Sequence, residues 1–554
     1  MTSEIPFLTD PRQAALRLEG VEYLSADLPG LSAPLELQVA LPACYDGKKP
    51  QAYPLLLLAN GASLFGSAVE MTRLMAQTKE LRECIVVAFE CRAGAEAEAE
   101  QACEGMAEVL QWCSARYRID AARSALFGSG DAGACVLQAF LFRAINVPQA
   151  IVVRPEAGPA LRMLGRPLSP SEPPKLQTRR LILLQQPGAS NELMQSVDAF
   201  AGREPGLSVE AGESGAPAAW VVPDLINGLR ALWSTSKRYG ADIELLRHPW
   251  MRPVFRLLSL LRRAPAPPPV AAQGSNPHLL RSASMQRDFE LFVSLPASYS
   301  PASRRSYPAV LVFDANIEYA IVAEAAAALA RAGAIDEAIV IGIGTPRAEG
   351  AVEFAYRRFE EFSPPIEEYD YSDALGNIFR GLFAARGQDA RDRLGLAPAL
   401  YHSVCEEMLP QLLQHFPIDS GRLSIVGHSA GGTFACYALQ QPQSPFRHYI
   451  AVSPGIGMSG FWLMRKLVQS GEFAAQAASV TLSIGAEEQA NPFNQYAGIP
   501  QTGAYAEQLR VRGVPGVSYR CFDGETHSST YPAAVLHGLL VSLRRGDGAA
   551  QAAA

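Results

Sequence analysis

The sequence predicts an α/β fold that occurs twice, each copy a largely parallel sheet flanked by helices. Three observations predict it. Short runs such as YPLLLLAN, CIVVAFE, SALFG and AIVVRP are apolar throughout, as strands buried on both faces must be, and they alternate with helical stretches such as MAEVLQWCSARY. Two segments, LFGSGDAGACV at 126–136 and IVGHSAGGTFAC at 425–436, run from a strand through a glycine turn into a helix. Finally, the chain repeats itself at the scale of a whole domain.

The repeat begins with the early strands. LQVALPACYDGKKPQAYPLLLLANG from Leu37 matches LFVSLPASYSPASRRSYPAVLVFDAN from Leu291, with Leu41-Pro42 on Leu295-Pro296 and Tyr53-Pro54 on Tyr307-Pro308, an offset of 254 residues. At the glycine turns the offset is 299, because RYRIDAARSALFGSGDAGACVLQAF from Arg116 matches HFPIDSGRLSIVGHSAGGTFACYAL from His415. The second copy has therefore gained 45 residues, 299 less 254, between its early strands and its turn. A unit this long is a duplicated domain rather than a solenoid repeat. The predicted organisation is a degenerate copy over 1–250, a Pro-rich linker region over 251–278 containing RRAPAPPPVAAQGSNPH, a second copy over 279–545, and a disordered tail over 546–554.

Composition narrows the function classes. A chain of 554 residues with 48% hydrophobic and 19% charged residues is globular, and a net charge of -7 with no basic tract gives nucleic acid nothing to bind. The start, MTSEIPFLTDPRQ, has no secretion-signal pattern and no long apolar run follows, so a cytoplasmic protein without a membrane partner is expected. Nine scattered cysteines lack a C-x-x-C pair, which predicts packing residues, no metal and no cofactor.

Chemistry concentrates in the second copy. Gly427-His428-Ser429-Ala430-Gly431 is G-x-S-x-G between a strand and a helix, the pattern that exposes a serine on a strained turn. The hydroxyl needs a base, and the base needs a carboxylate. Of three downstream histidines, His448 opens a strand and His537 lies in the last helix. His527, in the loop CFDGETHSSTYP, is the expected base. The acid should follow the strand SVTLSIG. Glu488 is the first choice, Glu487 the second and Asp523 the third.

These motifs, in order, resemble the enterochelin-esterase-like branch of the esterase D group of α/β-hydrolases. The resemblance covers residues 285–545 through SLPASY, VLVFDAN, IGIGTP followed by YRRFEEFSPP, EEMLPQLLQHFPID, GHSAGG, AVSPG followed by FW, SIGAEE and GETH. It implies two tandem α/β-hydrolase-type domains, with Ser429 as nucleophile, His527 as general base, Glu488 as acid, and the amides of Ala430 and Asn316 as oxyanion hole. It also points to Phe461 and Trp462, which come several residues late, and to Arg357 and Arg358 as substrate contacts, with a structural salt bridge an equal alternative for the arginines. A small-molecule ester is the implied partner, of siderophore lactone type by the family's name. Yet Glu360, Glu361, Glu367, Glu368, Asp370 and Asp373 would disfavour anionic ferric catecholates if they lined the mouth.

The first copy is a worn version of the same turn. Gly130 stands where Ser429 stands, Asp131 replaces Ala430, Pro217 falls opposite His527, and residues 1–247 contain no histidine. GSGDAG also spells G-x-G-x-x-G, but no ribose-binding acid follows about 20 residues on. An intrachain pseudo-dimer of the two copies is one expectation. The primary functional reading is a serine hydrolase cleaving carboxylic esters through an acyl-enzyme; the alternatives are acyl transfer by the same residues and a non-catalytic binding module. The extra residues, with Ile378, Phe379, Leu382 and Phe383 at helical spacing and Gly376, Gly381 and Gly387 as hinges, suggest a lid over Ser429.

Overall fold

The computed structural model describes residues 20–29, 34–42, 44–59, 61–90, 96–142, 145–158, 178–215, 220–235, 279–302, 304–367, 369, 371–470, 472–490, 494, 498 and 501–544. The predicted linker and tail, together with Pro217, Glu368 and Asp370, lie outside these residues. Two compact units separate, one over residues 17–237 and the other containing 238–554.

Among its described residues the N-terminal unit holds eight strands: β1 (Val21–Ala26), β2 (Leu35–Ala40), β3 (Leu55–Ala59), β4 (Ile85–Phe89), β5 (Ala125–Ser129), β6 (Gln149–Val153), β7 (Arg179–Gln185) and β8 (Leu207–Glu213). The C-terminal unit holds β9 (Leu279–Ser282), β10 (Arg287–Ser294), β11 (Tyr307–Val312), β12 (Ile339–Gly344), β13 (Ile418–His428), β14 (His448–Val452), β15 (Ser479–Gly485) and β16 (Val517–Phe522). The first sheet is ordered β1-β2-β4-β3-β5-β6-β7-β8 and the second β9-β10-β12-β11-β13-β14-β15-β16, which is the same topology. In both, the first two strands pair antiparallel and the rest of the sheet, from the third strand of the unit onward, is parallel.

The apolar runs form the central strands because helices cover both faces. β3, β4, β11, β12 and β15 are buried along their whole length. Packing repeats down to single glycines: a Cβ on Gly228 would meet Ile151 side-chain atoms at 2.8 Å, and one on Gly538 would meet Ile450 at 2.6 Å, so each last helix lies close on its sheet through a glycine. Phe313 at the end of β11 meets Phe434 edge-on, ring centroids 4.7 Å apart. Full burial of a side chain such as Phe434 contributes about 1.5–3 kcal/mol.

The 45 extra residues of the second copy include a helix, Ala374–Ala384, started by the Asp373 carboxylate accepting from the Gly376 amide at 2.6 Å. Its Ile378, Phe379 and Phe383 are buried with Tyr371, Leu375, Ala390 and Leu394 against Met458 and Ile484. Ile484 ends β15 and Met458 follows β14, so the insertion packs at the carboxyl ends of the strands. Its glycines are not free hinges: a Cβ on Gly376 would strike the Tyr371 backbone at 2.4 Å, and Gly387, at φ 73°, terminates the helix. Among the described residues no helix is long and apolar enough to cross a membrane, no cluster fit for a metal ion occurs, and the cysteines are free thiols.

Candidate active site

β13 delivers Ser429 into a turn that few residues tolerate. Its backbone lies at φ 57°, ψ -117°, a conformation that costs about 1–3 kcal/mol for a residue with a Cβ. The surroundings hold it there. The Ser429 amide donates to the Val452 carbonyl at 2.9 Å, and the Ser429 carbonyl accepts from the Thr433 amide at 2.9 Å and its hydroxyl at 3.1 Å. A Cβ on Gly427 would lie 2.2 Å from the Gly431 carbonyl oxygen, and one on Gly432 would lie 2.8 Å from the Val452 oxygen. The glycines of the motif are thus required by contact.

Two amides predicted to face a developing anion stand at helix N-termini. Ala430 opens the helix Ala430–Leu439, and Asn316 is the second residue of the helix Ala315–Arg331. N–H groups at these positions have no partner within their own helix and sit at its positive end. Asn316 is locked by its side chain, which donates to the Thr345 carbonyl at 2.7 Å and accepts from the Thr345 amide at 2.8 Å. Gly344 makes this possible, since a Cβ there would meet Asn316 Oδ1 at 2.5 Å.

His527 and Glu488 come together from loops 39 residues apart. His527 Nδ1 and Glu488 Oε2 are 2.8 Å apart, with Glu488 1% and His527 7% exposed. The other Glu488 oxygen accepts from the Gly485 amide at 2.7 Å and from the Ser453 hydroxyl, and Asn494 Nδ2 reaches Oε2 at 3.3 Å. Four donors to one buried carboxylate fix it in place, so that it orients the imidazole. Glu487 follows the same strand but is exposed, while its amide donates to the Glu525 carbonyl at 3.0 Å. Sequence reasoning missed Ser453 and Asn494. Ser453, at φ 46°, is the serine of the SP turn, whose strain is the only local signal.

The predicted substrate contacts divide. The Arg357 guanidinium is buried and satisfied by Glu361 at 2.8 Å, Glu349 at 2.7 Å and the Asp288 carbonyl at 3.0 Å, so of its two readings the geometry matches the structural salt bridge. Arg358, one residue on, is partly exposed. It binds Asp314 through Nε and Nη2, beside a small cleft lined by Phe313, Thr345 and Phe354. Phe461 is 38% exposed on a left-handed turn with Ser459 and Gly460, whereas Trp462 is turned inward against Tyr437, ring centroids 5.5 Å apart. Of the acidic run, Glu367 is exposed, while three others are engaged within the unit. Glu360 and Glu361 are buried in ion pairs with Arg287, Arg393 and Arg357, and Asp373 caps a helix and accepts from the Tyr369 hydroxyl at 2.6 Å.

A strained serine at the carboxyl end of a central parallel strand, with a carboxylate-bound imidazole in the loop before the last helix, is the arrangement of a hydrolase of the α/β class. Residues 282–377 and 379–539 match the family model described as "Putative esterase". Over that span the C-terminal unit is similar to this esterase family, in its enterochelin-esterase-like group, and is a carboxylic ester hydrolase. Among curated proteins, the ferri-bacillibactin esterase BesA of Bacillus subtilis is 25% identical over 281 residues, covering 49% of this chain and 90% of BesA. A siderophore enterobactin esterase of Emericella nidulans is 28% identical over 214 residues, covering 36% of this chain and 66% of its own. Of solved structures, the siderophore hydrolase EstA from Aspergillus nidulans aligns with 46% of this chain and 89% of its own, at 23% identity and a TM-score of 0.39.

Proposed function

We propose that the C-terminal unit hydrolyses siderophore-type esters through an acyl-enzyme on Ser429. His527 takes the Ser429 proton as the hydroxyl attacks the ester carbonyl, and Glu488 stabilises the imidazolium. The Ala430 and Asn316 amides hold the tetrahedral oxyanion. His527 then returns the proton to the leaving alcohol, and water repeats the cycle to release the acid. The observation that carries the reading is the buried His527–Glu488 pair in the same unit as a strained G-x-S-x-G serine. The substrate class rests on the named activities of the two curated relatives. It is compatible with the burial of Glu360 and Glu361 in ion pairs, which removes two charges from the field that would repel an anionic substrate.

The test is hydrolysis of iron-loaded and iron-free siderophore esters by wild type, Ser429→Ala and His527→Ala. Each substitution should lower kcat by about 10⁶-fold with the fold intact. Retention of a tenth of the wild-type rate by Ser429→Ala would refute the nucleophile. Turnover of simple esters but of neither siderophore form would refute the substrate class alone.

A further inference from the structure

His428, the variable residue of the G-x-S-x-G turn, does not face solvent or substrate. It is 2% exposed, and both ring nitrogens face acceptors: Nε2 lies 2.9 Å from the backbone carbonyl of His527, and Nδ1 lies 3.0 Å from Oε1 of Glu318, itself fully buried. Its ring stacks on Tyr531 at 5.0 Å and lies 4.6 Å from the His527 ring. Glu318 sits two residues beyond Asn316 on the helix Ala315–Arg331. One chain of contacts thus runs from the oxyanion-side helix, through the residue before the nucleophile, to the main chain of the base.

We propose that Glu318 and His428 are positioning residues for the base: His428 Nε2–H anchors the His527 carbonyl while Glu318 fixes the tautomer that makes this donor available. This rests on the assignment of His527 as base. The proton count follows from the geometry. Nε2 must carry a proton to meet a carbonyl, and a second proton must lie between Nδ1 and the Glu318 carboxyl, so the pair is neutral overall. Burial, together with the nearby His527 and Arg358, pushes the His428 imidazole well below its usual range. His527 is then held at two points, its ring by Glu488 and its carbonyl by His428.

The first copy supplies an internal control. By the offsets of 254 and 299 residues, Leu64 stands for Glu318 and Ser129 for His428. Leu64 is buried at the start of its helix and Ser129 ends β5, so the same sheet and turn form without the pair. The pair is present where the base is present and absent where it is absent. Fold alone does not demand it.

The experiment compares His428→Gln with His428→Phe, and Glu318→Gln with Glu318→Leu, using a p-nitrophenyl ester, thermal unfolding, and kcat/KM against pH. A glutamine at 428 can place an amide N–H where Nε2 was. A phenylalanine keeps the stacked ring but has no donor. A glutamine at 318 donates to Nδ1 as a protonated carboxyl does, and a leucine does not. Expected are kcat values within about 5-fold of wild type for both glutamines and a loss of about 10- to 100-fold for Phe and Leu, at little-changed KM. The acidic limb of the pH profile should move to lower pH in His428→Phe, because a base less firmly held against Glu488 is a weaker one. The charged or titratable groups facing His428 are Glu318, His527, Arg358 and Tyr531, and all remain in that variant. If His428→Phe does not fold, the Glu318 pair carries the same contrast. A merely structural pair would rank Phe at or above Gln at 428 and leave the pH limb in place, and that result would overturn the proposal. Activity surviving in His527→Ala would instead overturn the base assignment beneath it.

Discussion

The turn at Gly130 and the turn at Ser429 share a positive φ at the vertex and differ in chemistry. φ is 56° at the first vertex and 57° at the second, and the residues that follow the next strand, Arg154 and Ser453, match at 48° and 46°. The strained geometry therefore belongs to the fold and survives without a nucleophile to present. What differs is what each side chain meets. Ser453 donates to Glu488, while the loop of the first unit that matches Glu488 reads Gln186-Pro187-Gly188-Ala189 and offers no carboxylate. The oxyanion side differs too. Gly344 leaves room for the Asn316 lock in the second unit, but its counterpart Glu90 carries a side chain whose Oε1 accepts from the Ala62 amide at 3.2 Å, and Ala62 aligns with Asn316. The amide that would hold an oxyanion is occupied by the protein's own carboxylate.

This comparison can be broken most severely at Glu488. Replacing it by glutamine keeps its size but removes the charge and offers the wrong group to His527 Nδ1, so kcat should fall about 10⁴-fold with little change in stability. A loss below 10-fold would mean that another carboxylate, Glu487 first, orients the base. A smaller effect is expected from Gly130→Ser. A Cβ at Gly130 meets nothing within 4 Å, so the side chain fits, and the positive φ should cost about 1 kcal/mol of stability. The variant should gain no esterase activity and no reactivity toward a fluorophosphonate, since no histidine precedes position 248 in the chain. Labelling at position 130 would show that the first unit's turn keeps a working site.

The mildest effect concerns acid. Burial first, then Arg447 and Arg422, push the His448 imidazole down to about 4, and burial also lowers His428 and His537. Unfolded, such groups take up protons near pH 6.5, whereas the folded protein does not, so the unfolded state binds more protons below that value. Stability should be full above about pH 6.5 and decline as pH falls toward 4. Urea midpoints measured across this window should drop, and less steeply in His448→Asn. An identical slope in the variant would remove His448 from the account.

Much of this was legible from residues alone, and the limits have physical reasons. The strands showed because burial on both faces leaves uninterrupted apolar runs, and the turn showed because Gly427 is fixed by contact with Gly431, four residues on. His527 could be reached by elimination among three histidines. The distinction between Glu488 and Glu487 depends on the short helical turn Ala486–Ala490, which puts one carboxylate inward and the other toward the rim. Arg357 and Arg358 are adjacent letters, but a rotation of about 100° per helical residue sends the first into a buried ion network and the second to Asp314. Nothing local announces that Glu318 meets His428, 110 residues away, or that Glu360 and Glu361 are buried rather than at a mouth.

The central claim is that one of two like-shaped turns does chemistry and the other does none. It is tested most directly by treating the full chain with a fluorophosphonate, then weighing the intact protein and mapping the adduct. The account predicts a single adduct on Ser429, absent in Ser429→Ala and accompanied by complete loss of ester hydrolysis. An adduct in residues 17–237, or hydrolysis persisting after Ser429 is fully labelled, would contradict it.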